Sequence, residues 1–174
     1  MAHEHRSNSA ICRCGETKIE LIGKPIESAI CYCESCRTAG RAFERDLGAP
    51  QTVNSDGGVE YCLYRKDRVK IAQGAVNLRE YRLKPDSPTR RIVASCCGSP
   101  MFADFTPGHW LSIFRARMPS PAPEPRMRVM TKDKLDGVEL SNTIPAHGTV
   151  SPRLMIELLG AWAAMGFRRP KVVW

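Results

Sequence analysis

Short segments of alternating apolar and polar residues run through the first two thirds of the chain. The alternation is clear at residues 18–22, 26–30 and 78–83, and successive side chains of a β-strand point to opposite faces of its sheet. Further strands are predicted at residues 59–64, 69–71, 90–94, 101–105 and 111–114. Glycine and proline separate these segments, so the sequence predicts a mainly β protein built of short antiparallel strands.

The pattern becomes helical near the C-terminus. Ser151 can cap a helix, Pro152 fits its first turn and Gly166 can end it. Apolar residues recur between them at helical spacing: Leu154, Met155, Leu158, Leu159, Trp162 and Met165. The sequence therefore predicts a helix packed on the β core. A helix that uses an exposed apolar face to bind a partner is the alternative.

The predicted organisation of the 174 residues is one domain with an appended C-terminal segment. The polar residues 1–10 predict a disordered tail, and residues 11–118 form the predicted β domain. Residues 119–125 contain four prolines and predict an extended connector, because proline fits neither a helix interior nor a central strand. Residues 119–174 are therefore interpreted as a proline-rich connector and a helical extension packed on the domain.

No targeting or membrane segment is evident. The N-terminal residues lack the apolar stretch of a signal peptide, and no apolar run reaches the roughly 20 residues that cross a bilayer. We therefore expect a cytoplasmic, reducing location, in which grouped cysteines bind metal more often than they form disulfides; disulfide pairing is the alternative. The net charge of +8 is scattered and forms no basic stripe with aromatic residues, so nucleic acid is not an expected partner.

Seven of the eight cysteines fall into three groups, and zinc is the commonest metal to bind thiolates at such spacing. The groups are Cys12 with Cys14, Cys31 with Cys33 and Cys36, and Cys96 with Cys97. We assign the first and last groups to a structural zinc with four ligands. The middle group is assigned to a second zinc, whose three ligands leave one position open for substrate.

Two other assignments are compatible with the spacing. Cys33 and Cys36 could join Cys12 and Cys14 in one structural site, which leaves Cys31 and the last group without a role. His109 or His147 could supply a fourth ligand to the middle group. Cys62 lies alone inside a predicted strand, where a buried packing role is expected.

The open zinc site favours sulfur chemistry over hydrolysis. Three thiolates leave the zinc centre with a net negative charge, so it lowers the pKa of bound water less than a zinc held by three neutral histidines. A substrate thiol that binds such a zinc is deprotonated, however, and becomes a nucleophile.

In order, these motifs resemble those of a known family. Cys12-x-Cys14-Gly15, Cys31-x-Cys33-x-x-Cys36-Arg37 with Gly40, and Cys97-Gly98-Ser99 are similar to the glutathione-dependent formaldehyde-activating enzymes, a family that includes the domain of centromere protein V. The resemblance covers roughly residues 10–115. It implies an Mss4-like zinc-binding β fold, a structural zinc on the outer cysteine groups and a second zinc on the middle group that receives the thiol of glutathione.

The chain departs from the family pattern at two positions. Tyr32 stands where the middle motif commonly has histidine. The last motif is usually Cys-x-x-Cys-Gly, but here Ala94 takes the earlier cysteine position and Cys96 lies directly beside Cys97. Whether Cys96 ligates the structural zinc together with Cys97, or only Cys97 does so, is therefore left open.

The sequence thus predicts a zinc-dependent carbon–sulfur lyase that acts on a small thiol adduct of the S-hydroxymethylglutathione type. Cys31, Cys33 and Cys36 hold the reactive zinc. Arg37 and Arg41 are candidates to bind a substrate carboxylate, although they could equally offset the zinc–thiolate charge or face solvent. The alternative functions are a non-catalytic, zinc-stabilised binding module and a thiol or zinc sensor. A small thiol such as glutathione is the expected partner, and the oligomeric state, a homodimer included, is left open.

Overall fold

The computed structural model describes residues 7–174 and contains two β-sheets and two α-helices. The strands are β1 (Ser7–Ile11), β2 (Lys18–Ile22), β3 (Glu27–Cys31), β4 (Val59–Arg65), β5 (Val69–Gln73), β6 (Leu78–Tyr81), β7 (Thr89–Ala94), β8 (Ser99–Phe105), β9 (Trp110–Phe114) and β10 (Met127–Val129). The helices are α1 (Glu34–Leu47) and α2 (Pro152–Ala163). The mainly β fold class is confirmed, and each predicted strand overlaps one observed strand.

The strands form a small and a large sheet. The small sheet has the order β1-β2-β5, and the large sheet has the order β10-β3-β4-β9-β8-β7-β6. The strand pairings within them are antiparallel except that of β10, which runs parallel to β3 with Met127 opposite Ala29. The sequence analysis contains no strand at β10, because three residues are too few to show an alternating pattern.

The large sheet is buried on both faces, because alternate side chains of β4 pack into two different cores. Cys62 and Tyr64 point into a core shared with the small sheet. Tyr61 and Leu63 point the other way, into a core that is covered by α1 and α2. The molecule therefore has three layers, with the large sheet in the middle. Cys62 is fully buried, as predicted for a packing cysteine.

Helix α1 is absent from the sequence prediction, which considers residues 31–36 only as a group of metal-binding cysteines. Its N-cap is Cys33, whose Sγ accepts a hydrogen bond from the Cys36 backbone N–H at 3.4 Å. Its buried face consists of the small residues Ala39, Gly40 and Ala42 and one large side chain, Phe43. The segment is amphipathic, so its helical pattern is a local signal, and the prediction missed it because the cysteine spacing was explained as metal binding alone.

The N-terminal boundary also differs from the prediction. Residues 7–10, predicted as part of a disordered tail, belong to β1, which pairs antiparallel with β2 along its whole length. Ala10 is fully buried in the core between the sheets. Residues 1–6 lie outside the described part of the chain. The hydrogen bonds to β2 order a segment that is too polar to be recognised as a strand.

Helix α2 begins where the sequence predicts. Ser151 is its N-cap, with Oγ accepting a hydrogen bond from the Leu154 N–H at 3.0 Å. Leu154 and Leu158 pack into the core on the helix-covered face of the large sheet. Met155, Ile156 and Leu159 remain exposed, at 49%, 69% and 54% of their surface. Among the described residues, no helix has the length and hydrophobicity required to cross a membrane.

Candidate functional site

The cysteines gather in the two groups that the spacing predicts. Cys12, Cys14, Cys96 and Cys97 form one group, here called the four-sulfur cluster, and Cys31, Cys33 and Cys36 form the three-sulfur cluster. Within each cluster all Sγ atoms lie within 4.8 Å of one another. The alternative site that combines Cys33 and Cys36 with Cys12 and Cys14 is therefore not formed, and neither histidine of the described chain joins a cluster.

The geometry of the four-sulfur cluster fits one tetrahedral metal ion. Its Sγ–Sγ distances include 3.5 Å between Cys12 and Cys14, 3.4 Å between Cys14 and Cys96, and 4.0 Å between Cys96 and Cys97. Sulfurs about 2.3 Å from a tetrahedral zinc are about 3.8 Å apart, whereas a disulfide places them at about 2.0 Å. All eight cysteines are free, so these spacings fit metal ligation.

Two turns from different sheets supply the four sulfurs. Cys12 and Cys14 lie between β1 and β2 of the small sheet, and Cys96 and Cys97 lie between β7 and β8 of the large sheet. Gly98 ends the second turn with a φ of +70°, and a Cβ atom there would lie 2.2 Å from the Leu47 carbonyl oxygen. Only glycine fits this position without displacing α1. The cluster therefore joins the two sheets at the end of α1.

Polar groups around the four-sulfur cluster favour thiolate ligands. The Thr17 N–H donates to Cys12 Sγ at 3.2 Å, and the Ser99 hydroxyl lies 3.1 Å from Cys97 Sγ. Burial opposes ionisation of Cys97, but hydrogen bonds from Ser99 and nearby groups lower its pKa to about 6. The pKa of Cys96 is raised to about 12, mainly by burial.

The three-sulfur cluster lies at the junction of β3 and α1. Cys31 is the last residue of β3, Cys33 caps α1 and Cys36 lies in the first turn. Hydrogen bonds from Cys31 and Cys36 lower the pKa of Cys33 to about 2. Hydrogen bonding to Cys33 in turn raises the pKa of Cys31. Three thiols that concentrate negative charge at a helix N-terminus are a suitable ligand set for a soft cation.

A cavity of about 560 Å³ opens beside the three-sulfur cluster and distinguishes it from the four-sulfur cluster. All three of its cysteines line the cavity. The walls come from the helix-covered face of the large sheet and from α2, and they are mostly apolar: Ala29, Leu63, Ala103, Phe105, Trp110, Val129, Met130, Val150, Leu154, Met155 and Leu158. The polar lining residues, besides the cysteines, are Ser35, Tyr61, Thr89, Arg91 and Ser112.

Two of these polar residues have buried atoms without a hydrogen-bond partner in the described chain. The Tyr61 hydroxyl is one and the Arg91 Nε is the other, in side chains that belong to residues only 5% and 2% exposed. Burial, followed by the charges of Cys36 and Cys31, raises the pKa of Tyr61 well above its usual value. Tyr61 therefore stays protonated at neutral pH and can donate a hydrogen bond to a ligand.

Among the described residues, Arg91 is the only lysine or arginine that lines the cavity. Its Nη2 donates to the Ser35 carbonyl oxygen at 3.1 Å, which ties β7 to the first turn of α1. Its Nε is buried and has no hydrogen-bond partner among the described residues. A buried guanidinium near a thiolate cluster offsets the negative charge of that cluster and can also bind an anionic oxygen.

A second groove of about 300 Å³ adjoins the cavity, and its polar and charged side chains lie beside the apolar surface of Leu83 and Pro88. Ser35, Thr89 and Arg91 line both spaces. Lys84 and Asp86 add charges of both signs at the outer side of the groove. A ligand at the three-sulfur cluster can therefore extend into an apolar space on one side and toward charged side chains on the other.

The two arginines proposed from the sequence to bind substrate do not line the cavity. Arg37 Nη1 donates to the carbonyl oxygens of Tyr32 and Asp133, each at 3.1 Å, so it holds the loop after β10 against α1. Arg41 is exposed on α1. The arginine that lines the cavity is instead Arg91. Its only sequence signal is its position in β7, where it follows Thr89 and Arg90 and precedes the apolar residues 92–94.

The site defines a class of protein: a β-sheet protein with two separate cysteine clusters that could hold metal ions, one between two sheets and one open to a cavity. The sequence model of the glutathione-dependent formaldehyde-activating enzyme family matches residues 7–132. The chain belongs to that family, which confirms the resemblance found in its motifs.

Two further comparisons were made with known proteins. A structure from Rhodobacter sphaeroides, solved as a structural genomics target, is similar to the chain with a TM-score of 0.46 and 16% sequence identity. That similarity covers 79% of this chain and 98% of the other. No curated protein matches the sequence significantly.

Proposed function

We propose that the protein forms and cleaves the carbon–sulfur bond between a small thiol and an aldehyde, as a carbon–sulfur lyase of the S-hydroxymethylglutathione type. One observation carries this proposal. Three converging thiols, a protonated buried tyrosine and a buried arginine all line one cavity. Family membership supports the same reaction class.

Zinc fits both clusters by ligand type and spacing. The four sulfurs between the sheets suit a structural ion with no open position. Cys31, Cys33 and Cys36 suit an ion with one open position, which would bind the substrate sulfur and keep it deprotonated at neutral pH. The cavity gives a substrate sulfur access to these three thiols.

The other residues of the cavity suit the carbonyl half of the reaction. As the sulfur electron pair forms the new S–C bond, the C=O π electrons move to oxygen, which then takes up the proton that the thiol lost. The Tyr61 hydroxyl can donate a hydrogen bond to that oxygen, and Arg91 stabilises its developing negative charge. Cleavage runs through the same steps in reverse, so no further reactant is required.

The adjoining groove suits the rest of a charged thiol such as glutathione. Arg91 and Lys84 can pair with carboxylates, and Asp86 can pair with an ammonium group. Both ends of a peptide-like thiol therefore find groups of opposite charge close to the sulfur position.

The first test is the zinc content of protein purified under reducing conditions, measured by elemental analysis with and without glutathione. Two zinc ions per chain, or one that rises to two with glutathione, is the expected result. Exchange NMR should then show that the protein accelerates interconversion of glutathione, formaldehyde and their adduct. One zinc throughout, with no acceleration, contradicts the proposal and favours the zinc-stabilised binding module.

Cys36→Ser and Cys14→Ser separate the two metal roles. Cys36→Ser should remove one zinc and the catalysed exchange while the folded structure is retained, because its cluster opens to a cavity. Cys14→Ser should lower the unfolding temperature markedly, because its cluster joins the two sheets. Cys62→Ala, a cysteine outside both clusters, is the control for metal content. Equal unfolding by both cluster variants would contradict the division.

A further inference from the structure

The apolar wall of the cavity comes in part from outside the family match. That match ends at residue 132, whereas Val150, Leu154, Met155 and Leu158 all line the cavity. Helix α2 is held there by its buried leucines and by the stacking of Trp162 on His109, whose ring centroids are 5.6 Å apart. The C-terminal segment of this chain therefore shapes the space next to the three-sulfur cluster.

Formaldehyde does not match this space. It contributes one carbon to an adduct, so most of the apolar wall would have no ligand atoms to contact, and those dispersion contacts would be lost. The charged parts of a glutathione-like thiol do not match it either, because burying charge against apolar side chains without a partner is costly. The groove beyond Ser35 and Thr89 is the better place for that half of the adduct.

The groove and the cavity would thus each bind one half of an adduct, with the sulfur atom between them. The charged thiol side belongs in the groove, where Lys84, Asp86 and Arg91 can pair with its charges, and the aldehyde side belongs in the apolar cavity. Trp110 and Phe105 lie on the sheet side of the cavity, and Leu158 and Met155 lie on the helix side. An aromatic or branched aliphatic group placed between these walls would bury apolar surface on two sides.

We infer that the aldehyde this protein handles carries a bulky apolar group, aromatic or branched aliphatic, which α2 and the large sheet enclose. The inference rests on the proposed function and names the substrate class of the same site. Tyr61 then donates a hydrogen bond to the carbonyl oxygen of this aldehyde, and the apolar group points along α2.

The test compares three pairs of reactants with the full-length, zinc-loaded protein. The pairs are glutathione with formaldehyde, glutathione with phenylacetaldehyde, and benzyl mercaptan with formaldehyde. For each pair, exchange NMR gives the ratio of catalysed to uncatalysed adduct exchange. We expect the ratio for phenylacetaldehyde to exceed that for glutathione and formaldehyde by at least about 10-fold, since apolar pockets commonly discriminate to this degree.

Each other outcome has a distinct meaning. A higher ratio for glutathione with formaldehyde overturns the inference and leaves the proposed function standing. A higher ratio for benzyl mercaptan overturns the placement of the apolar group on the aldehyde. Acceleration of none of the pairs overturns the proposed function itself.

A pair of variants on α2 tests the wall directly. Met155→Glu places a charge on the cavity wall, and it should reduce the preference for phenylacetaldehyde over formaldehyde about 10-fold. Ile156→Glu, on the next residue of the same helix, does not line the cavity and is 69% exposed. It should leave the preference unchanged. Equal preferences in both variants, with unfolding temperatures that also agree, would contradict a role for α2 in selecting the aldehyde.

Discussion

Tyr61 shows how a single residue can serve function at the expense of stability. Its hydroxyl is buried and has no well-formed hydrogen bond within residues 7–174, where the Cys36 thiol is its neighbour, and a buried polar group without a full hydrogen bond destabilises a fold. Tyr64, three residues along β4, points to the other face and accepts a hydrogen bond from the Asn8 side chain at 3.1 Å. The hydroxyl of Tyr64 therefore stabilises the fold, whereas the hydroxyl of Tyr61 destabilises it.

Tyr61→Phe should raise the free energy of unfolding by about 1 kcal/mol, because it removes a buried hydroxyl that lacks a full hydrogen bond without changing the ring. The same change should slow the catalysed exchange by about 100-fold, which is typical for the loss of one hydrogen-bond donor to a developing oxyanion. Denaturant unfolding and exchange NMR measure the two effects.

Tyr64→Phe is the matched control and should behave in the opposite way. It should lower the free energy of unfolding by about 1 kcal/mol, because the Asn8 amide loses its partner, and it should leave the exchange rate unchanged. If Tyr61→Phe were destabilised to a similar extent with full exchange activity, the hydroxyl would be structural and its assigned role wrong.

At the scale of elements, short strands and one helix were predicted because their patterns are local. The alternation at residues 18–22 follows the observed strand β2, and Ser151 with Pro152 marks the start of α2. Helix α1 is amphipathic and could have been predicted from its local pattern, whereas strand β10 depends on contacts that the local pattern does not show. Helix α1 covers the sheet with small side chains, and β10 is held by its pairing with β3.

Ser151→Ala should lower the free energy of unfolding by about 1 kcal/mol, the usual cost of removing a helix N-cap. Ser151 is fully buried, and its hydroxyl accepts from the Leu154 N–H, so water cannot easily replace it. Thermal unfolding followed by circular dichroism measures the change. Thr149→Ala, an exposed position just before the helix, should have little effect, and equal effects would show that Ser151 does not cap α2.

At the scale of the whole molecule, His109 links the large sheet to α2. It lies just before β9, its ring stacks on Trp162 and it is 6% exposed. Burial is the largest effect on its pKa and lowers it, and the positive charges of Arg169, Lys66 and Arg65 lower it further. The folded protein therefore holds His109 neutral at pH values where the unfolded chain begins to protonate it.

Stability should consequently depend on pH through His109. The unfolded histidine takes up a proton below a pH of about 6.5, whereas the folded one does so only at lower pH. Acidification from pH 7 therefore favours the unfolded state, and the free energy of unfolding should fall until the folded pKa is passed. In His109→Phe the fall between pH 7 and pH 5 should be smaller than in the natural protein.

Urea unfolding at several pH values measures this slope. The comparison uses the change with pH, because the His109→Phe substitution also alters the absolute stability. His147→Gln, in the loop that leads into α2, is the control for the loss of a histidine. An unchanged slope in the His109 variant would show that this histidine does not couple the docking of α2 to pH.

The cysteine chemistry was determined by the sequence itself. Sulfurs two or three residues apart can converge wherever the chain turns between them, so the spacing indicated both the ligand type and the three-sulfur cluster. The union of Cys12 and Cys14 with Cys96 and Cys97 was also predicted, but a site with Cys33 and Cys36 was compatible with the spacing as well, and only the folded structure separates the two.

Only the tertiary structure decided which charged and polar groups face the three-sulfur cluster. Arg37 is a neighbour of Cys36 in sequence, but the helix turns it toward Tyr32 and Asp133, while Arg91 and Tyr61 reach the cavity from strands far along the chain. The tertiary structure also decided that α2 contributes to the cavity wall. Residues distant in sequence meet there because sheet pairing and helix packing bring them together, and no local pattern encodes which strands pair.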